Sequence, residues 1–156
     1  IGYITGPEGR RSTRERLEGF SDALERLGCA VREEMIATGA YSFESGSECA
    51  RALLANPQPP TAIFASNEDM AAGVIQTATE MGLSVPRDLS VAGFDDSALA
   101  TRIRPALTTI RRPVRAMARL AANKLIASIE GRHDDARMGV FLDPDLVIRD
   151  STRRLE

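Results

Sequence analysis

The stretch TAIFASNEDMAAGVIQTATEMGLSVPRDLSVAGFDDSALATRIRPALTTI, residues 61–110, holds two apolar runs, a helical pattern between them, and polar side chains where the runs end. TAIFA at 61–65 is continuously apolar after its first residue, as expected of a strand covered on both faces by helices. Asn67 opens a helix whose stripe is Met70, Val74, Ala78 and Met81, and Gly82 closes it. Residues 89–94 form the next strand, followed by Asp95-Asp96 and a short helical turn over 97–102. A strand, a helix and a second strand joined in this order imply parallel pairing through a right-handed crossover.

The same alternation extends toward the N-terminus. Residues 1–5 read as a short buried strand and 6–9 as a loop. Ser12 and Glu15 have capping-box spacing, Leu17, Phe20, Leu24 and Leu27 share a helical face, and Gly28 supplies a stop. A weaker strand spans 30–38. Ser42 then caps a second helix, with Cys49, Ala52 and Leu53 inward and Asn56-Pro57 ending it. The class is α/β, a doubly wound parallel sheet flanked by helices.

Beyond Pro105 the pattern changes. Pro113 begins a long helix with the stripe Val114, Met117, Ala121, Leu125 and Ile129, ending at Gly131. His133-Asp134-Asp135 reads as a polar turn, 140–142 and 146–148 as short strands, and Arg153-Arg154 as a loose end.

Composition narrows the function. At 156 residues the chain suits one main domain, and a net charge of -2 argues against duplex binding by phosphate neutralisation. No run of 18 apolar residues and no signal-peptide pattern occurs, which points to a cytoplasmic chain without a membrane partner. Cys29 and Cys49, expected as reduced and partly buried thiols, and a single His133 cannot assemble a zinc site. The loop at 6–12 fails the phosphate-loop pattern, and no nucleophile elbow or strand-end histidine is present. No catalytic residue, metal or cofactor is expected.

Asn67 with Met70-Ala71, Gly82-Leu83 with Val85-Pro86, Asp88-Leu89-Ser90-Val91 with Gly93-Phe94-Asp95, and 105–110 as PALTTI follow one order and spacing. Together they resemble the effector-binding core of the LacI/GalR family of bacterial transcriptional regulators. The resemblance implies a periplasmic-binding-protein-like fold, with 1–107 and 145–150 forming the C-terminal lobe and 108–112 crossing a hinge. Residues 113–142 would be a helix and edge strand of the N-terminal lobe, the rest of which, with the DNA-binding head, lies outside this sequence. It also implies a homodimeric repressor whose effector, a sugar or a nucleobase or nucleoside, alters operator affinity; operator DNA would be bound only through that head. A sugar-binding protein of a transport system with the same fold is the alternative.

In a doubly wound sheet ligands gather beyond the carboxyl ends of the strands. Arg10, Ser12 and Arg16 follow the first strand, Tyr41 the second, Asn67 the third and Asp95 the fourth. Arg16 offers a fork of donors, Asn67 a donor and an acceptor, Asp95 a carboxylate for hydroxyls or ring N–H groups, and Tyr41 a stacking face. Ser12 and Asn67 also suit plain capping, and Asp96 suits capping of the turn after it. An acid pair such as Asp95-Asp96 can hold Mg²⁺, but the remaining acidic cluster and lysine of a receiver domain are not found. Arg112 stands where many family members carry glutamine, a departure that points to a more acidic effector. The apolar stripe on 113–130 is expected either to dock on its own sheet or to pair with another copy.

Overall fold

The computed structural model describes residues 1–132 and 139–154. Its elements are β1 (Gly2–Thr5), α1 (Arg11–Arg26), β2 (Ile36–Thr38), α2 (Phe43–Leu54), β3 (Ala62–Ala65), α3 (Glu68–Glu80), β4 (Ser90–Asp95), α4 (Ala98–Arg102), β5 (Thr108–Arg111), α5 (Val114–Ile129) and β6 (Asp145–Val147). One six-stranded sheet has the order β2-β1-β3-β4-β5-β6. The first five strands are parallel, with registers such as Tyr3↔Phe64, Ile63↔Val91 and Gly93↔Thr109. The doubly wound expectation holds for these five. β6 departs from it, pairing antiparallel with β5 through Thr109↔Val147.

The core consists of Ile4, Ile63, Ala65, Val91 and Leu107 from the sheet region and Leu53, Met70, Ala71, Val74 and Ala78 from the helices, all almost fully buried. Two glycines bring α2 and α3 together. A Cβ on Gly46 would lie 2.3 Å from the Met70 carbonyl oxygen, and one on Gly73 would lie 2.2 Å from that of Phe43. Neither backbone could approach so closely with a larger residue.

Several local expectations change. Ser12 does not cap α1: the helix begins at Arg11 with Arg10 at the N-cap and no side-chain cap bond, so Ser12 already lies inside the first turn. Ser42 and Asn67 do cap α2 and α3, accepting from the backbone N–H groups of Ser45 and Met70. The second strand shrinks to three residues because Glu33–Met35 forms a 3-10 turn before it. Ala52, Leu27 and Met81 are exposed, the last two lying past the ends of their helices at the C-cap. Cys29 is exposed, and Cys49 alone is buried.

Residues 140–142 form no strand and are exposed, Phe141 to 98%. The proposed turn at 133–135 lies outside the described residues. No residue of α5 is buried, so its stripe does not dock on the sheet. The C-terminal tail is anchored rather than loose. Ser151 is fully buried, its hydroxyl donating to the Val91 carbonyl at 2.6 Å and accepting from the Thr108 N–H at 2.8 Å. Arg153 adds a bond from Nε to the Arg87 carbonyl at 3.0 Å.

Candidate functional site

At the carboxyl edge of the parallel strands a cleft of about 220 Å³ is lined by Ser12, Arg16, Tyr41, Asn67, Asp95 and Arg112. The strand order reverses between β1 and β3, and a reversal of this kind parts the loops on either side and opens a crevice. Ser12 and Arg16 on α1 follow β1, and Asn67 follows β3. Five of the six residues selected from sequence therefore line one cleft. Arg10 is exposed at the N-cap of α1 and is not among the lining residues.

Arg16 is fixed from two sides. Its Nη1 donates to the Ser66 carbonyl at 2.6 Å, and its guanidinium carbon stands 3.9 Å above the centre of the Phe94 ring. Stacking on an aromatic face holds the guanidinium plane while leaving edge N–H groups for a ligand. Behind it, Tyr3 stacks between Phe20 and Phe64 with centroids at 4.6 and 5.4 Å, and its hydroxyl accepts from Ser66 Oγ at 2.8 Å. Burial pushes the Tyr3 phenol above its ordinary pKa, so it stays neutral beneath the cleft.

Asn67 performs both roles weighed for it, capping α3 and lining the cleft. Its Oδ1 accepts from the Met70 N–H at 3.0 Å, and its Nδ2 donates to the Tyr41 carbonyl at 3.0 Å. That second bond ties the loop after β2 to the start of α3. Tyr41 is committed as well. Its hydroxyl is 3.1 Å from Thr13 Oγ1, and its ring covers Gly6 so closely that a Cβ there would be 2.1 Å from Cζ. The ring edge therefore packs against its own sheet, and stacking on a ligand is limited to what remains exposed.

The acid pair after β4 splits into two tasks. Asp95 forms an ion pair with Arg112, Oδ1 to Nε, at 2.8 Å. Asp96 turns away from the turn it was expected to cap, and Ser97 takes that place. With 8% side-chain exposure, Asp96 pairs with Arg111 at 2.5 Å and with Arg149. Burial pushes the Asp96 carboxyl up, yet the bonds from Arg149 and Arg111 outweigh it and hold the carboxyl below its ordinary range. Both acids thus face arginines rather than a shared cation. Tyr41, Asp95 and Asp96 are the described non-glycine residues with positive φ, at 62°, 128° and 58°. Such backbone costs about 1–3 kcal/mol per residue and persists where surrounding contacts impose it.

Two residues of the site were not selected from the sequence. Arg112 was noted for its departure from the family pattern, but its place in the cleft depends on β5 ending beside β4. Glu68, only 3% exposed, accepts from the Ser97 N–H at 3.0 and 3.1 Å, from Ser97 Oγ, and from Thr109 Oγ1 at 3.2 Å. It joins the start of α3 to the loop carrying Asp95. An acidic residue in a first helical turn is an ordinary sequence feature, and nothing local reveals its burial.

Comparison with known proteins agrees with the observed fold. Residues 1–152 match the family model of the periplasmic binding protein-like domain. The probable HTH-type transcriptional repressor ExuR of Bacillus subtilis is 40% identical over 155 residues, covering 99% of this chain and 46% of that protein. The HTH-type transcriptional repressor CytR of Escherichia coli strain K12 is 41% identical over 155 residues, covering 99% of this chain and 45% of that protein. Among solved structures, a sugar-binding transcriptional regulator of the LacI family from Escherichia coli, complexed with phosphate, is 36% identical with a TM-score of 0.86, across 97% of this chain and 54% of that one. The chain spans about half the length of the curated relatives it matches, and those relatives are repressors rather than enzymes.

Proposed function

The chain belongs to the periplasmic binding protein-like domain family in its LacI-type form, and on that premise we propose that its cleft receives the small-molecule effector of a transcriptional repressor. The observation that carries this reading is the convergence of Arg16, Asn67, Asp95, Tyr41 and Ser12, with Arg112, on one crevice at the carboxyl edge of the sheet. Arg16 and Arg112 supply donors, Asp95 an acceptor, and the Asn67–Tyr41 bond keeps the loops of the crevice in register. The volume of about 220 Å³ falls below the range of about 300–1,000 Å³ common for ligand pockets, as suits one jaw of a two-lobed site.

In this reading residues 1–107 and 145–150 are the C-terminal lobe, 108–112 cross the hinge, and 113–142 belong with the opposing lobe. Effector bound between the lobes favours the closed arrangement by the difference in its affinity for the two states, and this linkage alters operator affinity by a coupling of about 1–3 kcal/mol. Operator DNA is contacted by parts of the parent repressor beyond these residues, the parent acts as a homodimer in the cytoplasm, and the cleft performs no catalysis. Among the described residues no helix is long and apolar enough to cross a membrane.

Calorimetry on the parent repressor with a panel of sugars and nucleosides tests the assignment. Arg16→Ala, Asn67→Ala and Asp95→Ala should each weaken the effector that binds, by about tenfold to a hundredfold at the two charged positions, since hydrogen bonds to charged groups are worth about 1.5–3 kcal/mol. Unchanged affinity in all three variants refutes it.

A further inference from the structure

The polar groups of the cleft are unequally spent. Asn67 uses its oxygen on Met70 and its amide nitrogen on the Tyr41 carbonyl, and the Tyr41 hydroxyl pairs with Thr13. Asp95, the only acid among the described residues that line the cleft, is engaged by Arg112. A guanidinium carries five N–H donors. Arg16 spends one hydrogen bond on the Ser66 carbonyl, and Arg112 meets Asp95 through Nε, so the donor capacity left facing the cleft is mostly guanidinium. Two arginines against one carboxylate leave the lining with a net positive charge.

A neutral sugar can use the Ser12 hydroxyl but leaves the charge of the lining uncompensated. An anionic oxygen, by contrast, matches both the remaining donors and the uncompensated charge, and paired N–H groups of a guanidinium fit a carboxylate or phosphate in bidentate fashion. Arg16 is partly buried, which strengthens its attraction for an anion above that of an arginine in open water. Asp96 is held by Arg111 and Arg149, while Glu68 and Asp69 stand in the first turn of α3 and are not among the lining residues.

Resting on the reading that this cleft holds the effector, we propose that the effector is a small hydroxylated anion whose carboxylate or phosphate is taken by the guanidinium groups of Arg112 and Arg16, with Arg112 setting the selectivity for charge. Asp95 holds Arg112 at the wall of the cleft until the anion arrives, and then accepts hydroxyl donors from the polyol part of the ligand.

The test is a titration of the isotopically labelled parent repressor, followed by NMR, with glucose, glucuronate, glucose 6-phosphate, adenosine and inorganic phosphate. The three hexoses share a skeleton and differ in charge. Glucuronate or glucose 6-phosphate should bind at least about tenfold more tightly than glucose, and the preference should shrink as salt rises. Arg112→Gln should abolish the preference and Arg112→Lys retain part of it, both with unchanged thermal melts because Arg112 is exposed. Stronger binding of glucuronate assigns the carboxylate; stronger binding of glucose 6-phosphate assigns the phosphate. Inorganic phosphate binding as tightly as either hexose anion overturns the hydroxylated ligand, and no response to any anionic probe overturns the proposal. Glucose or adenosine binding as tightly as the anions, unaffected by Arg112→Gln, overturns the charge selectivity while leaving the effector cleft in place.

Discussion

Replacing Glu68 tests how the cleft is held together. The Glu68 carboxylate, 3% exposed, receives the Ser97 N–H, the Ser97 hydroxyl and the Thr109 hydroxyl, and stands in the first turn of α3 where the helix dipole favours a negative charge. Glu68→Ala removes these bonds and leaves a fully buried Thr109 hydroxyl without its acceptor. A hydrogen bond to a charged group contributes about 1.5–3 kcal/mol, and an orphaned buried donor costs about 1–3 kcal/mol. Because the bonds share one carboxylate they do not add in full, and the expected loss is about 3–5 kcal/mol. With a urea slope of about 2 kcal/mol per molar, the midpoint should fall by about 1.5–2.5 M. Glu68→Gln keeps one oxygen acceptor but turns an NH₂ group toward donors, and should lose about half as much. The Asp95 amide signal should also shift in both variants, since Glu68 anchors the loop that carries it. A Glu68→Ala variant within about 1 kcal/mol of the unaltered chain, by urea unfolding, refutes this account.

Three further outcomes are expected. Asp96 has a lowered folded pKa, so its contribution to stability is complete above the ordinary carboxylate value of about 3.9 and is lost as pH falls through the lower folded value; Asp96→Asn should remove that portion of the acid unfolding curve, and an unchanged acid limb counts against the pairing with Arg149 and Arg111. Gly46→Ala places a Cβ 2.5 Å from the Met70 Cα, where only backbone movement relieves the clash, so α2 and α3 must separate at a cost of at least about 1–3 kcal/mol in thermal unfolding. Met117→Lys on α5, where no residue is buried, should leave the monomer's stability within about 0.5 kcal/mol while reducing any self-association seen by light scattering; a larger loss in dilute solution would show that α5 has a buried partner within the chain.

Features that depend on neighbours within a few residues, or on a repeating pattern, were legible in the residues alone. Ser42 and Asn67 cap their helices because the donors they satisfy lie three residues ahead, and Gly82 ends α3 because its positive φ, 77°, suits a residue without Cβ. The apolar runs within 1–5 and 61–65 became the adjacent parallel strands Gly2–Thr5 and Ala62–Ala65 because a doubly wound sheet is covered by helices on both faces. Strand-end position together with the family resemblance selected five lining residues of the cleft, since the carboxyl edge of such a sheet is where loops diverge, and strand-end position also admitted Arg10, which lies outside it. Local rules failed where two readings competed at short range: the Ser12 spacing was that of a capping box, but the helix began two residues earlier, with Arg10 at the N-cap.

Tertiary structure alone decided which charges are buried and which partners they take. Glu68 meets Ser97 and Thr109 across 29 and 41 residues of chain, and Asp96 meets Arg149 across 53. Their sequence surroundings are those of solvated acids. Arg112 enters the cleft only because β5 lies beside β4, and Arg10, near Ser12 in the chain, stays outside it. A carboxylate loses its water only when the fold supplies replacement donors from distant elements, and that exchange leaves no mark within a helical turn of the residue itself.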